Sequence, residues 1–197
     1  MLKEIRFAGF GGQGILLAAN LIGRAAAIHE GGYATMTQSY GPEARGGASS
    51  AQLLISDEPI LYPYVTREDY LVALSQESYA RFGPNLKPDG VLIVEKDLVR
   101  VGDIPNSVSV YGITATRIAE ELGKKVVLNM VMVGFFAAIS RLMKEESYRK
   151  SVADSVPKAM IDLNLRAFDA GFARGMEASV IHAGEDMHAV ESVWLNP

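Results

Sequence analysis

Two short segments hold most of the residues whose types and spacing could bind a ligand. The first is Gly9-Phe10-Gly11-Gly12-Gln13-Gly14. Its glycines allow positive φ and close backbone approach, and a helix opening after Gly14 would offer free N–H groups to an anion. Such a loop can cradle a phosphate or pyrophosphate. It matches the G-x-G-x-x-G pattern of dinucleotide sites. The second strand, however, ends at Thr37-Gln38-Ser39, with no carboxylate to hold a ribose hydroxyl. A nicotinamide or flavin dinucleotide is therefore disfavoured, and a tight turn with no ligand stays open. The second segment runs from Gln38 to Gly47 and carries Gln38, Ser39, Tyr40, Glu43 and Arg45, with Gly41-Pro42 and Gly46-Gly47 shaping the backbone. Arg45 can pair bidentately with a phosphate or carboxylate. The plain alternative is a solvated Glu43–Arg45 ion pair worth little.

Both loops need elements to hold them. Lys3 to Ala8 reads as a strand, and Ile15 to Ile28 has helical spacing that stops at Gly31-Gly32. Tyr33 to Ser39 reads as a second strand. Together these predict a βαβ unit with parallel strands and a right-handed crossover, so both loops leave the carboxyl edge of one sheet, where open α/β sheets bind ligands. Ala51 to Ile55 reads as a strand, with Ile60-Leu61-Tyr62 pairing beyond the Asp57-Glu58-Pro59 turn. Leu71 to Leu74, Val91 to Val94 and Ser107 to Tyr111 read as further strands. Gln76 to Phe82 reads as a helix, and Lys87-Pro88-Asp89-Gly90 as a turn. Thr114 caps a predicted helix running to Leu122. Asn129 to Leu142 predicts a buried apolar helix, and Ser155 caps one that reaches Phe172. The expectation is α/β: a three-layer α/β/α Rossmann-like domain over residues 1–175, its sheet mostly parallel and covered on both faces, followed by a tail at 176–197.

Composition narrows the function. The chain has 197 residues, net charge −4 and no cysteine. Thiolate-ligated iron–sulfur clusters, Cys-based zinc sites and disulfides are excluded. The acidic balance, with no basic block, argues against nucleic acid. The most apolar stretch, Val126 to Ile139, is too short to span a bilayer, and nothing at the N-terminus reads as a signal peptide, so the expectation is a cytoplasmic protein with no membrane contact. A mean hydropathy of +0.12 suggests that apolar surface enters a subunit interface or self-association.

The paired loops carry a resemblance. Gly-Phe-Gly-Gly-Gln-Gly-Ile at 9–15 and Thr-Gln-Ser-Tyr-Gly-Pro-Glu-Ala-Arg-Gly-Gly at 37–47 resemble the hallmark loops of the gamma subunit of 2-oxoacid:ferredoxin oxidoreductases, which act on pyruvate, 2-ketoisovalerate, 2-oxoglutarate or indolepyruvate. The Ser56-Asp57-Glu58-Pro59-Ile60 turn, Asp69 to Glu77, Lys87-Pro88-Asp89-Gly90 and Asn129 with its helix are also similar. The likeness runs from about Ile5 to about Phe172.

The resemblance implies oxidative decarboxylation of a 2-oxo acid to an acyl-CoA with reduction of ferredoxin. Thiamine diphosphate, Mg and iron–sulfur clusters belong to other subunits, namely alpha, beta and a ferredoxin-like delta chain. The gamma module packs on the coenzyme A side of that core. It implies no catalytic residue and no metal here, and an isolated chain without activity. The site residues it implies are Gly9, Gly11, Gly12, Gln13, Gly14, Gln38, Ser39, Tyr40, Gly41, Pro42, Glu43, Arg45 and Gly46. Compact free-standing gamma chains favour 2-oxoglutarate. A solitary nucleotide- or CoA-binding module is the rival. Among other residues, His29 reads as a partner of a helix dipole. Met130, Met132, Phe135 and Phe136 read as core. His182, Glu185, Asp186 and His188 read as a solvated tail rather than a metal site, and Trp194 as a partner anchor.

Overall fold

The computed structural model describes residues 1–40, 47–102 and 104–180. Six strands form one sheet: β1 (Leu2–Phe10), β2 (Tyr33–Tyr40), β3 (Ala48–Ser56), β4 (Glu68–Ala73), β5 (Leu86–Glu95) and β6 (Ser109–Ile113). Their order is β2-β3-β1-β4-β5-β6. The pairings β1–β4, β4–β5 and β5–β6 are parallel, while β3 lies antiparallel between β1 and β2. The expected α/β architecture is present, with one correction. β1 and β2 run in the same direction, but they are not neighbours. β3 is buried along both faces and belongs inside the sheet, whereas β2 is exposed or half-buried and takes the edge.

Helices α1 (Ile15–Arg24), α3 (Ala115–Glu121), α4 (Leu128–Ser140), α5 (Glu145–Ser155) and α6 (Ile161–Glu177) contribute to the larger core on one face. The other face carries α2 (Gln76–Phe82) and Val99, packed over β4, β5 and β6. Among the described residues this second face has no helix beyond α2, whose Phe82 reaches over Arg6 of β1. The segment 57–67 lies on it instead, where Gln52 Oε1 accepts from Val65 N–H at 2.9 Å and Glu4 Oε1 accepts from Thr66 N–H at 2.8 Å. Ile60-Leu61-Tyr62 form no strand, because both edges of β3 are already paired, with β1 and with β2, and the segment crosses the sheet face instead.

The buried Met130, Met132, Phe135 and Phe136 confirm α4 as core. Phe136 meets Phe7 and Tyr70 edge-on at 5.6 and 5.5 Å. On its far side α4 crosses α6 at backbone contact. A methyl group on Gly134 would strike the Phe168 carbonyl, and one on Gly171 would strike the Val131 carbonyl.

One helix escapes the sequence pattern, and two other expectations need correcting. Helix α5 has no apolar stripe: its buried residues are Ser147, Tyr148, Ser151 and Val152, too polar for periodicity to reveal. Ser155 ends α5 instead of capping its successor, which opens through a 3₁₀ turn at Lys158–Met160. Thr114 occupies the N-cap of α3 but makes no side-chain cap. Buried Glu95 does that work, its Oε1 accepting from Thr116 N–H at 3.1 Å.

Glu30 and His29 end the first helical segment, which closes in a π-helical turn at Ala25–His29. Glu30 Oε1 accepts from Ser147 Oγ at 2.6 Å and from Lys144 N–H at 3.0 Å, so it caps α5. His29 Nε2 faces Asp154 Oδ2 at 3.3 Å.

Two outcomes follow. Gly171→Ala should lower stability by at least about 1–3 kcal/mol, as overpacking does, read from the denaturant midpoint. An unchanged midpoint would show that the crossing has slack. The Ser147 hydroxyl, with Lys144, holds the Glu30 carboxyl below its ordinary range. Its contribution is thus present above the unfolded carboxyl pKa, near 4.3, and disappears as pH falls through the lower folded value. Melting temperatures should show wild type losing its advantage over Glu30→Gln as the medium is acidified below about pH 4; a gap independent of pH would contradict the assignment.

Candidate functional site

The first loop joins β1 to α1 at the carboxyl edge of the sheet. Gly12 has φ 99° and Gly14, the N-cap of α1, has φ 72°. Both are left-handed conformations that side chains rarely accept. Gly14 has a second reason to be glycine, since a Cβ there would lie 2.5 Å from Asn129 Nδ2. Asn129, buried at the start of α4, thus packs directly on the loop. Among the described residues nothing lies within 4 Å of where a Cβ on Gly12 would stand. Among the described residues no side chain caps α1, and its first turn has no acidic residue. The first-turn amides therefore carry the partial positive charge of a helix start.

Gln13 has a different task from its glycine neighbours. Its Oε1 accepts from Phe10 N–H at 2.6 Å, and its Nε2 donates to the Leu74 carbonyl at 3.1 Å. Both ends of the amide are spent inside the protein, tying the loop to the end of β4. The Gln13 carboxamide also occupies the space where a Cβ on Gly9 would point. Alongside it, the Ser75–Ser78 capping box opens α2, and Ser78 Oγ donates to the Ala8 carbonyl at 3.2 Å.

The roots of the second loop reach the same place. Tyr40 pairs opposite Ser49, and Ser49 opposite Gly9. Gly11 N–H donates to the Gly47 carbonyl at 2.8 Å, so the exit of the second loop is bonded to the first. Gly9 and Ser39 line one small pocket with Ser49, Ser50, Ser78 and Arg81. Gln38 and Ser39 are exposed at the end of β2. Gly41, Pro42, Glu43, Arg45 and Gly46 lie outside the described residues, as do His182, Glu185, Asp186, His188 and Trp194. Among the described residues no group of three or more His, Asp or Glu could hold a metal, and no helix is long and apolar enough to cross a membrane.

Sequence reading singled out Asn129 only as part of a similar segment. Its signal as a loop-packing residue was an amide isolated in an otherwise apolar helix. Leu74 carries no such signal, because it acts through its carbonyl.

A glycine-rich strand-to-helix turn, a helix start with no side-chain cap among the described residues and the roots of a second loop on the same sheet edge define an α/β module of open-sheet type. Residues 4–174 match the family described as Pyruvate ferredoxin/flavodoxin oxidoreductase. The chain belongs to that family, as a gamma subunit of the 2-oxoacid:ferredoxin oxidoreductase type. It is 48% identical over 174 residues to the 2-oxoglutarate synthase subunit KorC of Methanocaldococcus jannaschii, spanning 87% of this chain and 93% of that one. The keto/oxoacid ferredoxin oxidoreductase gamma subunit from Geobacter sulfurreducens has a TM-score of 0.81 at 36% identity, over 90% of this chain and 98% of that one. The 2-oxoglutarate:ferredoxin oxidoreductase from Magnetococcus marinus has a TM-score of 0.83 at 25% identity, over 92% of this chain but 32% of that one.

Gln13→Ala removes two hydrogen bonds and opens a gap beside Gly9. It should cost about 1–3 kcal/mol in chemical unfolding. A loss near zero would mean that the loop holds its shape without this clasp.

Proposed function

We propose that this chain is the gamma subunit of a 2-oxoglutarate:ferredoxin oxidoreductase and that its glycine-loop edge receives the phosphate groups of coenzyme A. The observation that carries the substrate choice is the near full-length similarity to a 2-oxoglutarate synthase subunit. The Magnetococcus protein, which shares the fold, was solved with 2-oxoglutarate, coenzyme A and succinyl-CoA bound.

The overall reaction joins the acyl group of a 2-oxo acid to coenzyme A, releases carbon dioxide and passes two electrons to ferredoxin. Thiamine diphosphate with Mg, held by the alpha and beta subunits, supplies the decarboxylation chemistry. The clusters that carry electrons sit on cysteine-bearing partners, including the ferredoxin-like delta subunit, which suits a chain with no cysteine of its own. This chain binds and orients. Amides around Gly12 and Gly14 meet a phosphate at the uncapped start of α1, Gln13 holds the loop that presents them, and Arg45 of the second loop pairs with a further phosphate. The isolated chain has no turnover.

The test is purification of the native complex followed by dye reduction dependent on coenzyme A, with 2-oxoglutarate, pyruvate and branched-chain oxo acids compared. The expected outcome is preference for 2-oxoglutarate. Gly12→Asp and Arg45→Ala should each raise the coenzyme A KM at least about tenfold, the worth of one charge-assisted contact. Unchanged KM in both variants would remove coenzyme A from this edge. A lone chain that brings down no partner would leave a solitary nucleotide-binding module.

A further inference from the structure

The end of the sheet opposite the glycine loops carries a surface that the coenzyme A site does not use. Leu61 is 94% exposed, and Leu2, Tyr62 and Tyr64 are more than half exposed. Tyr33 extends the patch: it pairs opposite Ser56, which pairs opposite Leu2, so all three share a face where the amino ends of β1 and β2 flank the carboxyl end of β3. Beneath these side chains runs a groove of about 400 Å³, floored by Leu54 and Ser56 and walled by Ile60 and Tyr62. Together the exposed groups present on the order of several hundred Å² of apolar surface, the size at which a patch marks an interaction site.

The segment that displays this patch is fixed in place. Ser56 Oγ accepts from Glu58 N–H at 3.0 Å at its start. Gln52 and Glu4 accept from Val65 and Thr66 N–H at its end, and Glu4 is itself bridged to Lys87 at 3.1 Å. Tyr62 and Tyr64 meet edge-on at 5.5 Å. A pinned backbone with outward aromatic groups loses little entropy on docking.

The lengths of the related chains say what docks. This fold makes up about a third of the Magnetococcus chain, so there it is continuous with a body twice its size. A ketoisovalerate oxidoreductase subunit VorA, 34% identical over 171 residues, likewise matches over 35% of its own length. The module is part of a longer chain in these relatives but makes up nearly the whole of the separate KorC subunit, matched over 93% of its length, and a separate subunit needs a permanent apolar interface in place of the covalent link.

We infer that the patch formed by Leu2, Tyr33, Leu61, Tyr62 and Tyr64 docks this chain onto the oxidoreductase subunit that corresponds to the remainder of those longer chains. The inference rests on the proposed function. Leu2 and Phe10 stand at opposite ends of β1, roughly 26 Å apart at ordinary strand rise, so docking there leaves the glycine loops open to ligand.

The experiment is affinity recovery of the whole complex through a tag on this chain, with wild type, Leu61→Asp, Tyr62→Glu and the control Lys158→Glu on an exposed turn. Leu61→Asp and Tyr62→Glu should cut the recovered partner subunits at least about tenfold, as loss of an interface anchor does. Their thermal melts should match wild type, and the control should recover partners in full. Undiminished recovery by both patch variants overturns the inference while leaving the functional reading intact. It is also overturned if those variants abolish self-association of the isolated chain yet retain the partners, because the occupant is then a second copy. If wild type itself recovers no oxidoreductase subunit, the functional reading fails and takes this inference with it.

Discussion

A helix with no wet side must be covered all round, and α4 is such a helix. Phe136 presses it onto Phe7 and Tyr70 of the sheet. On the opposite side Gly134, Gly171 and Gly175 remove the side chains that would keep α6 at an ordinary distance. Interiors pack at crystal-like density, so this contact sets where α4 lies along its own axis and not only how deeply it is buried. That position matters because Asn129, near the start of α4, rests on Gly14. The core and the candidate site are therefore one mechanical unit, with the glycine loop seated on the end of the most buried helix.

The loop is shaped by three kinds of restraint. Positive φ at Gly12 and Gly14 bends the chain from strand to helix. Asn129 closes the space against Gly14, and Gln13 ties the turn back to Leu74. The bond from Gly11 to Gly47 then brings the second loop to the first. A loop preorganised in this way can meet a phosphate with backbone amides and little reordering, which is what binding through an uncapped helix start requires.

The two sheet faces solve burial differently. One carries most of the helices and the larger core. The other holds α2 beside a buried Arg6–Glu68 pair, with the Arg6 guanidinium 4.3 Å from the centre of the Phe82 ring and Asn85 Nδ2 donating to Glu68 at 2.9 Å. Farther along, Glu4 and Gln52 hold segment 57–67 across β1 and β3. Polar groups on this face are satisfied by specific partners rather than by a second helical layer. That arrangement lets a short, irregular segment lie on a sheet while its own apolar side chains point outward.

Much of the molecule was legible in the chain itself. Strand-glycine-helix punctuation set β1, the first loop and α1, because glycine conformations and helical spacing are local properties. The apolar run at 126–139 placed α4 in the core, and the two loop motifs identified the family. Other features depended on residues distant in sequence. Helix α5 buries Ser147 and Ser151, which can be interior because Glu30 and the Leu21 carbonyl receive their hydroxyls. Insertion of β3 between β1 and β2 was decided by which strand could be buried on both faces. That Gln13 also clasps the loop was not legible in the chain, since its partners include a carbonyl 61 positions away. The sequence by itself determined the local turns and the family, because those rest on backbone freedom and on the residue types of two short loops. Only the tertiary structure decided strand order, the seat of Gly14 on Asn129 and the aromatic patch at the far edge, because each arises from packing between segments that sequence order keeps apart.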